Sequence, residues 1–213
     1  MHDRIEFENK QLIRAPFEHY LELFVKADPE EMSSRSGIKY DTKSLSFFLT
    51  LMGTDYEISY PDYIIKDKVG EILRNPYEEI LIIRYLLDGT FVPPREKNLA
   101  YEEMPWGKVY LTNFRGRVVG RILREFGKDL TVFERTIESM PGLNYEKVEK
   151  CDVGYRFEFI NNLFITIMLW EGDDEFAPSA QFLFSDNFKF AFTAEDIAVV
   201  GDVLNGRFKA MKV

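Results

Sequence analysis

Apolar residues recur at three- and four-residue spacing over 9–27, where Leu12, Ile13, Phe17, Tyr20, Leu21 and Phe24 define one helical face. Pro16 falls inside that pattern, so the helix is expected to begin or kink there. Asp28-Pro29-Glu30-Glu31 predicts a second short helix, with Asp28 positioned to cap the exposed amides and Pro29 suited to the first turn. Ser33 to Gly37 reads as a turn. From Ser44 to Tyr60 the period changes to two. Leu45, Phe47, Leu49 and Leu51 share one face, Gly53-Thr54-Asp55 interrupts, and Tyr56, Ile58 and Tyr60 follow, which is a β-hairpin pattern. Asn75-Pro76-Tyr77-Glu78 opens another helix, with Asn75 as cap and Glu78 able to reach back to the cap amide. Its body, Ile80 to Leu87, is apolar nearly all round and therefore buried, and Asp88-Gly89-Thr90 ends it.

The segment Val92 to Gly107 carries Pro93, Pro94, Pro105 and Gly107 and is the longest expected loop. Tyr101, Met104 and Trp106 make it too apolar for a solvated linker, so it is expected to pack. Lys108 to Phe114 reads as a short strand, Gly116 to Phe126 as an amphipathic helix closed by Gly127, and Asp129 to Met140 as a helix ending at Pro141-Gly142. Thr131 with Glu134 fits a capping box. In the C-terminal third, Tyr155, Phe157 and Phe159 alternate, Asn161-Asn162 suits a tight turn, and Leu163 to Trp170 returns as an antiparallel strand. A third strand spans Ala180 to Phe184, and Thr193-Ala194-Glu195-Asp196 starts a last helix running to about Leu204, before Asn205-Gly206.

Local hairpin signals outnumber any alternating strand-helix-strand pattern, which predicts an α+β fold with antiparallel hairpins flanked by helices. Residues 1–213 are expected to form a single domain, with lobes at 1–114 and 115–213 as the alternative division. An apolar content of 46% supplies ample core. The net charge of -9 disfavours nucleic acid and anionic lipid as partners, because phosphate binding requires clustered cations. The lone Cys151 excludes an internal disulfide and any multi-thiolate site. The start of the chain lacks a signal-peptide pattern, and the longest apolar run, Leu163 to Trp170, is too short for a bilayer. A cytoplasmic location is the expectation.

Candidate chemistry concentrates in Trp170-Glu171-Gly172-Asp173-Asp174-Glu175-Phe176, between two strand-like runs. Glu171, Asp173 and Glu175 alternate and would share a face of an extended chain, so they are the candidate metal ligands. The order of a calcium loop is absent, however, and a turn whose carboxylates cap local amides fits the same residues. Arg117, Arg121, Arg124 and Lys128 would form a basic stripe if the helix persisted past Gly127; such a stripe can receive a phosphate or an acidic partner, or simply be solvated. Trp170, Glu171, Asp173, Asp174, Glu175, Arg117, Arg121 and Arg124 are accordingly the candidate binding residues. His2 and His19 have no metal-ligand spacing, and Cys151 sits among charges of both signs that make no case for a thiolate. Trp106, Trp170, Tyr110, Tyr155 and Phe176 could line a pocket for a flat cofactor, or serve as core pieces.

Trp170-Glu171-Gly172-Asp173-Asp174-Glu175-Phe176, then Pro178-Ser179-Ala180 and Glu195-Asp196-Ile197-Ala198-Val199, resembles an uncharacterised prokaryotic family known as domain of unknown function 3786. Ser59-Tyr60-Pro61-Asp62, the Leu81 to Thr90 helix end and Met104-Pro105-Trp106-Gly107 resemble the family's earlier blocks. Ala177 stands where the family has a second proline, and Gln181 where Asn is usual. The resemblance implies a domain of anaerobes, sometimes joined to iron-sulfur or corrinoid-type modules, with no established activity. The leading functional expectation is a non-catalytic module that binds a small molecule or a protein, with no particular cofactor indicated. The alternatives are a metal-dependent hydrolase or transferase using Glu171 to Glu175 and a structural subunit of an oligomer.

Overall fold

A computed structural model describes residues 17–212. They form two compact units, one comprising the residues up to Leu49 together with Asp55–Phe91, the other Thr50–Thr54 together with the residues from Val92 onward. The fold is α+β, with helices and, among the described residues, nine strands in mostly antiparallel pairings.

The first unit begins with α1, helical over 17–26, and α2 (Pro29–Ser36). Residues 9–16 of the expected first helix, Pro16 included, lie outside the described residues, as does His2. Asp28 caps α2 as expected, its carboxylate accepting from the amides of Glu30 at 2.8 Å and Glu31 at 3.1 Å. Ser33 to Ser36 are the last turn of that helix rather than a loop. Only Gly37, at φ 72°, leaves it. Strands β1 (Lys39–Asp41), β2 (Ser46–Leu51), β3 (Thr54–Ser59) and β4 (Ile65–Asp67) follow, with Lys39 opposite Phe48 and Ile58 opposite Ile65. Phe47 and Leu49 are buried on the face that the alternation indicates, whereas Leu45 is exposed. Phe24 anchors the cluster, its ring centroid 5.0 Å from Tyr63, 5.4 Å from Tyr60 and 6.1 Å from Phe47. Helix α3 (Pro76–Asp88) starts at the Asn75 cap; Asn75 Nδ2 also donates to Glu78 Oε1 at 3.1 Å. Arg35 closes its other end by donating to the Leu86 carbonyl at 2.9 Å.

The second unit contains β5 (Asn98–Ala100), a 3₁₀ turn (Tyr101–Glu103), α4 (Gly107–Phe114), a π-helical turn (Arg115–Val119), α5 (Gly120–Phe126) and α6 (Leu130–Ser139). Then come β6 (Tyr145–Lys147), β7 (Val153–Ile160), β8 (Leu163–Trp170), β9 (Ser179–Ser185), α7 (Phe188–Ala191) and α8 (Ala194–Met211). The order across the strands is β6-β7-β8-β9-β5. Asn161 and Asn162 take positive φ, 42° and 62°, and turn β7 into β8. The register places Tyr155, Ile167 and Phe182 side by side, and Phe157, Ile165 and Phe184 two residues along. Phe208 of α8 lies 6.2 Å from Phe157 and 5.6 Å from Phe133 of α6, so both helices pack over that face. Each such buried aromatic ring contributes about 2 to 3 kcal/mol of transfer free energy. Gly53, at φ 78°, sits so close to the Gly142 backbone that a Cβ would lie 2.3 Å from its carbonyl carbon.

Three sequence expectations change in this unit. Lys108 to Phe114 is helical, not a strand: Gly107, Phe114 and Val118 are buried and Val109 exposed, so burial follows a helical period and not the brief Val109/Leu111 alternation. Asp129, not Thr131, caps α6, its carboxylate accepting from the Thr131 amide at 3.0 Å. The last helix runs through Asn205-Gly206 to Met211, because burial of Phe208 retains the final turns. None of the helices among the described residues is long and apolar enough to cross a membrane.

Candidate functional site

The basic stripe divides between different tasks. The π turn inserts an extra residue into the helix that α4 and α5 build, and the helix ends at Phe126, before Lys128. A single face bearing all four cations therefore does not form. Arg117 and Arg121 converge on Asp202 of α8, whose side chain is only 3% exposed: Arg121 Nη1 lies 2.9 Å from Oδ1, and Arg117 contacts Oδ2. Gly201 permits this approach, since a Cβ there would stand 2.2 Å from Val118 Cγ2. Asn205 Nδ2 donates to the Gly201 carbonyl within α8 at 2.9 Å and reaches the Val118 carbonyl of the π turn at 3.5 Å.

Arg115 and Arg124, on the same helix, are exposed and make no ion pair among the described residues, and neither do Lys108 and Lys128. From Gly107 to Lys128 the chain has six cations and a single carboxylate, Glu125, which meets Lys212 at 3.3 Å. This stretch is locally basic in an otherwise acidic protein.

Residues 171–177 are all exposed, and Trp170 ends β8 half-buried opposite Ser179. Asp173 Oδ1 accepts from the Phe176 amide at 2.7 Å and the Glu175 amide at 2.8 Å, while its own amide donates to the Phe176 carbonyl at 2.9 Å. Those amides hold the Asp173 carboxyl below the usual range. The Glu171 amide donates to Asp152 at 2.8 Å. Glu171, Asp173 and Glu175 occupy an irregular turn instead of one extended face, and no group of three or more His, Cys, Asp or Glu able to hold a metal occurs among the described residues. Gly172 to Pro178, with Gly127 and Lys128, line an open depression of about 420 Å³. Lys128 is thus the one stripe residue brought to the acidic turn there.

A more enclosed cleft, of about 400 Å³, lies farther along β9. Its floor is Phe114 and Phe182, ring centroids 5.9 Å apart, and its walls include Tyr101, Glu102, Arg115, Val119 and Gln181. Tyr101 stacks on Phe114 at 4.0 Å, and its hydroxyl donates to the Ala194 carbonyl at 2.8 Å; burial pushes that phenol up to about 12, so it is neutral at physiological pH. The cleft exists because β5 is short. Ala100 pairs with Leu183, the chain then turns away as a 3₁₀ helix, and among the described residues no strand lies opposite Ala180 on that side. None of these residues stands out in the sequence as a candidate for binding. Arg115 precedes the stripe by two positions, and only the π turn and the end of β5 bring it to the strand edge.

The remaining candidates are ordinary. Cys151 Sγ lies 3.4 Å from the Val148 carbonyl, and burial raises its thiol, the opposite of activation. His19 lies beside the Tyr20 ring, at 5.7 Å between centroids. Trp106 takes φ 65° and is 77% exposed, and neither tryptophan lines either cavity. Tyr155 is buried and its hydroxyl meets Glu138 at 3.0 Å, where Lys147 also bridges to Glu134 at 2.9 Å; this is a structural cluster on α6, β6 and β7.

No curated protein and no solved structure matches the chain. A family model covers residues 28–207, a span that includes α2, the cleft, the acidic turn and most of α8. With most of its length matched in this way, the chain belongs to the family described as Domain of unknown function (DUF3786).

Proposed function

We propose that this protein is a non-catalytic, cytoplasmic binding module of anaerobic prokaryotic metabolism that holds a small molecule or a segment of a partner protein in the β9 cleft. One observation carries the reading: an apolar floor of Phe114 and Phe182 is bordered by convergent polar groups, Arg115, Glu102 and Gln181, which is the composition of a recognition site. The acidic turn supports it less, because Asp173 uses its carboxylate to shape the turn. A metal-dependent hydrolase would need carboxylates converging on one point, and the turn presents them to solvent.

The test is a two-dimensional NMR screen of small acids, amides and short peptides against the wild type and Val119→Arg, whose long side chain occupies the cleft. Perturbations confined to 100–102, 111–119 and 180–182, and lost in the variant, are the expected result. Binders that collect elsewhere, or that the variant retains, would remove the cleft from this role. Saturating Ca²⁺, Mg²⁺ or Mn²⁺ is expected to leave the melting temperature unchanged.

A further inference from the structure

The edge of β9 has a defined polarity. In an antiparallel ladder, alternate residues direct their main-chain N–H and C=O to opposite sides. The Asp186 amide donates to the Lys97 carbonyl at 2.9 Å, so even-numbered residues of this strand turn toward β5. Leu99 lies opposite Phe184 in the same alternation. Continued past Ala100, it sets Phe182 opposite Tyr101, the first residue of the 3₁₀ turn, and directs Ala180 toward a position that β5 does not reach. Those two residues, with Gln181 between them, border the cleft.

The charge beside that edge is equally directional. Arg115 lies in the cleft wall, and Lys108 and Arg124 extend the same helical segment on either side, none of them neutralised by a carboxylate among the described residues. Arg117 and Arg121 are committed to Asp202, and Lys128 stands by the acidic turn. Glu102 is the single carboxylate of the cleft lining, on the wall made by the 3₁₀ turn.

From these two observations, and resting on the cleft being a binding site, we propose that it receives an extended, acidic peptide segment of another protein. The segment adds as a short antiparallel strand in the place that β5 vacates, with its main chain against Ala180 and a carboxylate on Arg115. Strand addition supplies affinity through the backbone, and side-chain pockets supply selectivity. Phe114, Phe182 and Val119 take an apolar side chain of the segment, while Arg115 pairs with the carboxylate beside it.

The probe is acetyl-Thr-Glu-Val-Glu-Val-Glu-Thr-amide, with the same peptide carrying Gln for Glu as control. Amide hydrogen exchange of the full chain should slow at Ala180 when the acidic peptide is added, and stay unchanged at Ser179 and Gln181. Arg115→Ala should weaken binding roughly tenfold without changing the melting temperature, in line with the loss of one charge-assisted contact. Glu102→Gln should strengthen it about twofold, because a like charge is removed. The Gln peptide should bind the wild type and Arg115→Ala equally. Equal affinity of the two peptides for the wild type overturns the acidic preference, and uniform or absent protection along β9 overturns the added strand. Either failure leaves the small-molecule screen of the cleft to decide the broader binding role separately. Absence of any binding by the acidic peptide overturns this inference alone.

Discussion

Arg117 and Arg121 carry the same side chain as Arg115 and Arg124 and lie on the same helical segment, yet the two pairs do opposite things. The first pair encloses Asp202, a carboxylate withdrawn from solvent by α8; the second pair projects into water with no counter-charge among the described residues. A buried carboxylate is costly unless cations meet it, so the first two arginines are part of how α8 packs. Exposed guanidinium groups contribute little to stability and remain available to a ligand. The comparison separates residues that hold the fold from residues that can recognise something, on one helix and with one side-chain type.

The largest effect that tests this difference is expected at Asp202. Asp202→Ala removes the shared carboxylate and leaves two cations over a partly buried site, costing about 2 to 3 kcal/mol in urea unfolding, toward the lower end for buried pairs because both arginines reach solvent. A cost below that of a surface substitution would show that Asp202 does not organise the helix contact. Gly201→Ala comes next. The added methyl collides with Val118 and should cost about 1 to 2 kcal/mol, with recovery when Val118→Ala is introduced beside it. Failure of the double variant to recover would place the strain elsewhere.

Single truncations of the arginines give a finer contrast. Arg117→Ala and Arg121→Ala should each lower stability by about 1 kcal/mol, and Arg115→Ala and Arg124→Ala by less than about 0.5 kcal/mol. Equal costs across all four would erase the distinction. The smallest effect concerns the acidic turn, whose charge is used locally. Because the Phe176 and Glu175 amides lower the Asp173 carboxyl in the folded chain, its contribution is present above the unfolded value, about 4, and is lost as pH falls through the lower folded value. Asp173→Asn should therefore flatten the acid limb of melting temperature against pH slightly. A normal Asp173 titration midpoint in NMR would contradict the capped turn.

Much of the architecture was legible because its causes are local. Asp28, Asn75 and Thr193 each cap a helix, and Asn161-Asn162 makes the turn that such residues permit at positive φ. The acidic turn was legible as a turn for the same reason, since an Asp accepting nearby amides needs only its neighbours. Lys108 to Phe114 misled because two alternating apolar residues are too few to distinguish strand from helix, and the packing of Phe114 against Phe182 and Phe184 decided the matter. The cleft could not be read at all. Its residues come from three separated stretches, and its opening depends on where β5 stops pairing.

The chain's order of apolar and polar residues determined by itself the α+β class, the antiparallel hairpins of the second unit and most helix starts, because caps, turns and periodicity act within a few residues. Tertiary structure alone decided which arginines are bound to Asp202, where the π turn shifts the helix register, and that β5 stops pairing with β9 at Ala100. Those outcomes depend on contacts between segments far apart in sequence, such as Val118 on Gly201 and Leu99 opposite Phe184, which local spacing does not encode.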